Sequence, residues 1–251
     1  MPTYSNTWPP GYSPDPGPFY ITIPRGVSNI QIICWGAGGC GGRATAPIVA
    51  TYSAGGGGGG VGVTTGATYT AGSVLRIYCG VGGTSDGTHN GSNSIVSDNR
   101  THTSLCIGYG GNGVAGNSTS GAAGGGGFGN FSTYIGGNGA NSNSTSGYSG
   151  GGGGGAGSGH NGTNASTFHG GKGGSVGGGY GGDGLNGSGG IGSEGNAYGG
   201  GGAGSAEFPI SADGVPGGSG AHGAVYISYD YAVNILMNVI TAFSPRYVPP
   251  V

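Results

Sequence analysis

Charge is what this sequence has least of. Six Lys and Arg stand against eight Asp and Glu in 251 residues, a net charge of −2 with 6% charged residues in all. A chain this neutral has no basic face for the phosphates of nucleic acid and no acidic tail. Intrinsic disorder usually combines few aliphatics with high net charge; this chain has the first property and lacks the second. Its surface must be solvated mainly by Ser, Thr, Asn and bare backbone, so it should respond weakly to salt. Long hydrophobic runs are also missing. The longest apolar stretch, near 231–243, falls short of the roughly 20 residues that a membrane span needs. The opening MPTYSNTWPP has neither the basic nor the apolar region of a signal peptide. The expectation is a soluble protein or a component of an assembly, with no membrane span and no nucleic-acid partner.

The groups that chemistry needs are scattered. Cys34, Cys40, Cys79 and Cys106 form no CxxC pair and have no histidine at ligand spacing, which argues against zinc. Cys34 shares a strand face with Ile30 and Ile32, and Cys79 with Leu75 and Ile77. Small buried thiols are the expectation, and a Cys34–Cys79 disulfide, which would require an oxidising environment, is the alternative. His89, His102, His160, His169 and His222 lie in polar stretches. The acids Asp86, Asp98, Asp183, Glu194, Glu207 and Asp213 make no evident pair. Acid–base or nucleophilic catalysis needs a base with an orienting partner in a water-excluding pocket. No catalytic residue, metal or cofactor is therefore assigned, and the chain is not read as an enzyme.

Glycine is abundant instead, 71 residues of 251. One stretch, IQIICWGAGGCG at 30–41, matches the Gly36-x-Gly38-x-x-Gly41 fingerprint of a dinucleotide loop. In this composition the match carries little information, and its context fails. A nucleotide site needs a helix after the glycines and an acidic residue about 20 positions on. Here RATAPIVATYSAGGGGGG follows, and no Asp or Glu occurs between Asp15 and Asp86. Glycine loses more backbone entropy on folding than any other residue. A chain so rich in it must either stay disordered or pack backbone against backbone.

Strands are legible at both ends of the sequence. Residues 19–23 and 29–35 read as strands joined by PRGVS, followed by candidates at 61–65, 73–79, 103–109 and 223–231. Residues 1–18, with six of the 13 prolines, read as an extended arm rather than a folded element. Between the strands lies a glycine-dominated insert of about 110–222. Gly178, Gly181, Gly184, Gly187 and Gly190 recur every third residue, as do Gly214, Gly217, Gly220 and Gly223. Three is the polyproline II repeat. Such helices can pack side by side with N–H and C=O groups pairing between neighbours. A helix surrounded on all faces must be all glycine, which predicts interior helices at 55–60, 124–127, 150–155 and 199–202. The mixed runs 170–179 and 181–195 should be peripheral, with Tyr180, Leu185, Asn186 and Glu194 outward. A flexible Gly/Ser linker is the alternative.

The stretches ITIPRGVSNIQIICWGAGGCGG, GGGGGGVGVTTGATYTAGSVLRIYCGVGG and PGGSGAHGAVYISY resemble the glycine-rich domain of phage tail and tail-fibre proteins and of many bacterial surface proteins. There is a more distant likeness to the glycine-rich extracellular domain of anaplastic lymphoma kinase. Val27, Ile30, Ile32, Trp35, Gly36, Ala37, Gly38 and Gly39 carry the most specific part, and the likeness spans roughly 19–231. It implies a mainly β fold: a small β-sandwich base, jelly-roll or TNF-like, with an inserted bundle of polyglycine II helices and extended Pro-rich termini. In phage adhesins of this kind, loops at the bundle tip contact a host receptor. The Pro-rich arm 1–18 and the tail 232–251 depart from the usual pattern.

Loops that interrupt the glycine runs place Phe131, Tyr134, Tyr148, Phe168, His169 and Phe208 among small hydrogen-bonding residues, the mixture that binding surfaces use. The same rings could instead cap the open ends of a glycine bundle. N-x-[ST] sequons at Asn90, Asn99, Asn117, Asn130, Asn143, Asn161, Asn164 and Asn186 are candidate glycosylation sites. In the tail, Ala232, Ile235, Leu236, Val239, Ile240 and Phe243 trace a helical stripe, while β-branched content favours a strand; either way it is an apolar docking element. The function expected is a viral structural protein. It would expose a glycine-rich virion module for capsid or tail decoration or host attachment, held to other virion proteins through both termini. The possible external partner is a host receptor or glycan. A cellular surface adhesin or extracellular ligand-binding module is the alternative.

Overall fold

A computed structural model describes residues 3–8, 17–45, 50–67, 69–208 and 214–231. All regular elements among them are strands: β1 (Thr3–Trp8), β2 (Phe19–Thr22), β3 (Val27–Trp35), β4 (Thr51–Tyr52), β5 (Val61–Ala67), β6 (Val74–Tyr78), β7 (Ser94–Asp98), β8 (Ser104–Gly108), β9 (Gly127–Phe128), β10 (Ser132–Tyr134), β11 (Ala206–Glu207) and β12 (Ala224–Tyr231). They form two five-stranded antiparallel sheets, ordered β1-β12-β3-β5-β10 and β2-β6-β7-β8-β9, and a short β4-β11 pair. The fold is mainly β.

Alternation explains the strands and the core. In β6, Leu75 and Ile77 are buried while Val74, Arg76 and Tyr78 are half-exposed. The two large sheets face each other across one apolar cluster. Ile30, Ile32 and Cys34 of β3 and Val225 and Ile227 of β12 meet Leu75, Ile77, Val96 and Cys106. Each such side chain contributes about 1.5–3 kcal/mol on burial. A second cluster covers the outer face of the first sheet: Ile33, Trp35, Val61, Val63 and Ala224 pack against Ala156, with Tyr134, Tyr198 and Tyr226 beside them.

The glycine runs are neither strand nor α-helix, and run 55–60 shows why they hold. Its N–H groups point in three directions in turn. Gly55 and Gly58 donate to Ala140 and Gly137, Gly56 and Gly59 to Gly202 and Gly199, and Gly57 and Gly60 to Asn112 and Tyr109. Its carbonyls do the same. Gly57 and Gly60 accept from Gly39 and Gly36, Gly55 and Gly58 from Ala122 and Gly125, and Gly56 and Gly59 from Gly153 and Ala156. Six segments thus surround one, with every partner recurring after three residues. A Cβ in this run would lie between 2.0 Å (Gly55) and 2.4 Å (Gly56) from a neighbouring carbonyl oxygen. No side chain fits, so backbone contact replaces the side-chain core.

The runs 55–60, 150–155 and 199–202 are buried throughout, as is 36–42, where an interior run had not been expected. Run 124–127 differs: only Gly125 is buried, because Gly126 has open space where a Cβ would point. Tyr180, Asn186 and Glu194 are exposed as expected, whereas Leu185 is half-buried. The N-terminal arm is not wholly unfolded. Its Thr3–Trp8 part is β1, an edge strand paired residue for residue with β12, from Thr3↔Asp230 to Trp8↔Val225. The segment TYSNTW is rich in strand-favouring Tyr, Thr and Trp, and Pro9-Pro10, which cannot donate to a ladder, follows it directly. The docking tail 232–251 lies outside the described residues.

All four cysteines are buried and free, so the Cys34–Cys79 disulfide is not formed. Cys34 Sγ instead donates to the Cys106 carbonyl oxygen at 3.5 Å, across the core from β3 to β8.

Candidate binding end of the glycine bundle

Run 36–42 leaves β3 and run 53–60 enters β5, so residues 36 and 60 mark the end of the bundle at the β base. Residues 42 and 53 mark the far end. Hydrogen-bond register then orders the rest. Gly150 donates to Ser53 and Ala156 to Gly59, so 148–150 is a far turn; Gly151 donates to Thr167, which sets the 166–169 turn beside it. β11 pairs with β4 at the same end, Ala206 opposite Tyr52.

This register divides the six loop residues. Tyr148, Phe168, His169 and Phe208 all reach the far end. Phe131 and Tyr134 do not: Phe131 N–H donates to Val63 of β5, and Tyr134 pairs with Val61. Phe131 is 70% exposed on the side of the base, and Tyr134 packs at the edge of the outer cluster.

At the far end the rings form a row. Phe168 lies 4.1 Å from the His169 ring and 6.4 Å from that of Tyr148; Tyr52 meets Phe208 edge to face at 6.3 Å. The two groups join at the turn before Tyr148, where a Cβ on Gly147 would lie 3.5 Å from the Tyr52 hydroxyl. Tyr52 was missed because it sits between two runs and not in a long loop. It is buried and anchors the row, while Phe208 (39%) and His169 are exposed. Asn143 and Asn186 flank Tyr148 through backbone bridges on either side, giving rings framed by amides. Nearby, Arg43 and Asp86 form an ion pair at 2.5 Å, both partly exposed.

Nothing equivalent to a catalytic constellation accompanies them. Cys40 Sγ stands 3.8 Å from His89 Nδ1, but burial pushes the Cys40 thiol up to about 11, which keeps it protonated and unreactive. No group of three or more His, Cys, Asp or Glu comes together among the described residues. A groove of about 470 Å3 on the side of the bundle, lined by Gly82, Glu194, Asn196, Ser219 and His222, is open to solvent. There His222 Nδ1 accepts the Gly82 N–H at 3.1 Å, a structural use of the ring. No helix among the described residues is long and apolar enough to cross a membrane.

The sequon asparagines have a structural use as well. The motif N-G-x-N occurs at 90–93, 138–141 and 161–164. Asn90 and Asn93 Oδ1 accept the N–H groups of Gly113 and Gly110; Asn138 and Asn141 accept those of Gly124 and Gly121; Asn161 and Asn164 accept those of Ile135 and Asn138. Where the bundle ends sideways, a side-chain amide thus stands in for the missing carbonyl of another segment. Asn117 and Asn130 also donate from Nδ2, the atom a glycan would occupy, to the carbonyls of Thr45 and Thr65. Asn143 Oδ1 accepts the Ser146 N–H. Asn99 and Asn186 make no side-chain hydrogen bond among the described residues.

Against known families, a model described as a glycine-rich domain matches residues 13–230. No curated protein matches the chain.

Proposed function

The chain belongs to the glycine-rich domain family, and on that premise we propose that it is a structural protein of a virus particle that displays a rigid binding tip. The observation that carries this reading is the ring row Phe208–Tyr52–Tyr148–Phe168–His169 at the end of the bundle remote from the β base. Rigid rings among small amides suit adhesion to a receptor or glycan. The scattered titratable groups and the protonated Cys40 favour binding over catalysis. We further read the glycine segments as polyglycine II helices, supported by hydrogen-bond partners that recur every third residue, and the two facing sheets as a jelly-roll-like base. The module would decorate a capsid or tail at the virion surface, joined to other virion proteins through its termini.

A cellular surface adhesin is the second reading, favoured by the exposed sequon asparagines Asn90, Asn117, Asn161, Asn164 and Asn186. Gold-labelled antibody on purified particles separates the two: label on the particle supports the first, label confined to cell envelopes overturns it. For the tip itself, the purified chain should bind whole host cells, and Phe168→Ala with His169→Ala should abolish binding while Phe131→Ala leaves it intact. Equal loss from Phe131→Ala would defeat the tip assignment.

A further inference from the structure

The two sheets differ on their outer faces. That of the first sheet is buried against the bundle through Trp35, Val61 and Ala156. That of the second is open. Directly paired residues share a face, so the pairings Tyr78↔Ile95, Ile95↔Ile107 and Ile107↔Phe128 lay one apolar row across β6, β7, β8 and β9. The intervening residues Ile77, Val96 and Cys106 are in the core, so the row points away from it. Tyr78, Ile95 and Ile107 are only half-buried and Phe128 is 48% exposed. Tyr109, two residues beyond Ile107, continues the face, and the Arg76 guanidinium stacks on the Tyr78 ring at 4.6 Å. A contiguous apolar face of this kind marks an interaction site.

The same chain carries a second apolar element. Residues 232–243, AVNILMNVITAF, hold no charged residue and follow Tyr231 with no linker. Tyr231 pairs with Val27, at the end of β12 remote from the bundle and in the first sheet. The open row belongs to the other sheet and lies close to the bundle, since Tyr78 is two residues from Gly80, whose carbonyl accepts the bundle's Gly223 N–H. To reach it within one chain, the segment must cross the ~10 Å between sheets and round the second sheet. It must then climb about four residues at ~3.3 Å each, a path on the order of 25–30 Å. As a helix these twelve residues span only about 18 Å. As a strand they would be used up on the way. The two apolar surfaces of one chain therefore cannot meet each other.

We propose that the row Tyr78–Ile95–Ile107–Phe128 is the docking site for segment 232–243 of a second copy of this chain. Each copy then offers one segment and one face, so the contact is heterologous and generates a ring or a filament. The inference stands apart from the viral or cellular location and from the tip.

Sedimentation velocity on the full chain tests it, with Ile107→Lys altering the face and Leu236→Lys altering the segment. The parent chain should form oligomers, and each variant should sediment as a monomer. Mixing the two variants should restore one intact contact, segment of the first on face of the second, and give a 1:1 dimer that grows no further. A parent chain that stays monomeric at every concentration overturns the proposal. So does an oligomer that survives Leu236→Lys, or a mixture that stays monomeric while both variants melt like the parent.

Discussion

A Cβ placed on Gly41 would sit 1.9 Å from the carbonyl oxygen of Ala203. The clash is with backbone held in place by its own hydrogen bonds, Ala203 N–H to Ser193 and Gly41 N–H to Gly218, so nothing can rotate away. Gly41→Ala and Gly58→Ala should each destabilise the chain by about 3 kcal/mol or more, the upper range for overpacking. Gly126→Ala should act in the opposite sense. Its Cβ meets nothing nearer than Tyr109 Cδ2 at 4.0 Å, so restriction of the unfolded chain should stabilise by about 0.4–1 kcal/mol. Urea unfolding of the three variants gives the signs directly.

Sequence pattern revealed the strands that alternate, β3, β6, β8 and β12, and the interior character of the longest glycine runs. It did not reveal β7, SIVSD, whose buried residues include Ser94 and Ser97 and which therefore lacks apolar alternation. The Gly36-x-Gly38-x-x-Gly41 stretch shows why local motifs mislead here. Its three glycines are required by Tyr109, Gly200 and Ala203, carbonyl neighbours far away in sequence. The ring row was half legible for the same reason. Loop composition pointed to Phe168 and His169, but only register places them with Tyr52 and apart from Phe131. The N-G-x-N motif was on view as sequons, and its role depends on which segment lies alongside.

The asparagine acceptors make a graded prediction. Asn138 Oδ1 accepts the Gly124 N–H at 3.0 Å on the bundle surface. Asn138→Ala should cost about 0.5–1.5 kcal/mol, the worth of one such bond. Asn138→Asp keeps an acceptor at the same place and should lose less. If thermal melts find alanine no worse than aspartate, the amide is not standing in for a carbonyl.

The thiols should be silent in the native chain. Burial raises the Cys34 thiol well above its usual value, and neighbouring Cys106 adds to the effect; burial holds Cys40 at about 11. Iodoacetamide at neutral pH should leave the folded protein unmodified and label all four cysteines after denaturation. Mass spectrometry that found label on Cys34 or Cys40 in native protein would contradict the packed core.

Asp98 should give the fold an acid-sensitive limb. It accepts the backbone N–H groups of Thr101 and Arg100, each at 2.8 Å, and the Thr101 bond above all holds its carboxyl below the usual value. As pH falls, the unfolded chain takes up this proton before the folded one. The stabilisation is therefore present above the ordinary carboxylate pKa and is lost as pH falls through the lower folded value. Asp98→Asn should flatten that part of a melting-temperature profile and leave neutral pH little changed.

Asn-Gly bonds offer a last and sensitive probe of the backbone network. Asn90, Asn112, Asn138, Asn161 and Asn186 each precede glycine, the neighbour that most favours deamidation. The reaction begins when the glycine nitrogen attacks the asparagine Cγ, so that nitrogen must be free to lose its proton and turn. None of the five is free. Gly91, Gly139, Gly162 and Gly187 donate to the carbonyls of Gly111, Ala122, Ile135 and Gly147, and Gly113 donates to Asn90 Oδ1. Each bond runs to a different segment, so releasing one nitrogen requires parting two pieces of the bundle. Native chain incubated at mildly alkaline pH should retain all five asparagines, while the same chain in urea should deamidate at every one. Peptide mapping reads each site separately. A single site that deamidates in native protein at the unfolded rate would identify a place where the backbone network is not closed. Uniform deamidation at all five would reject the network as the source of the fold's order.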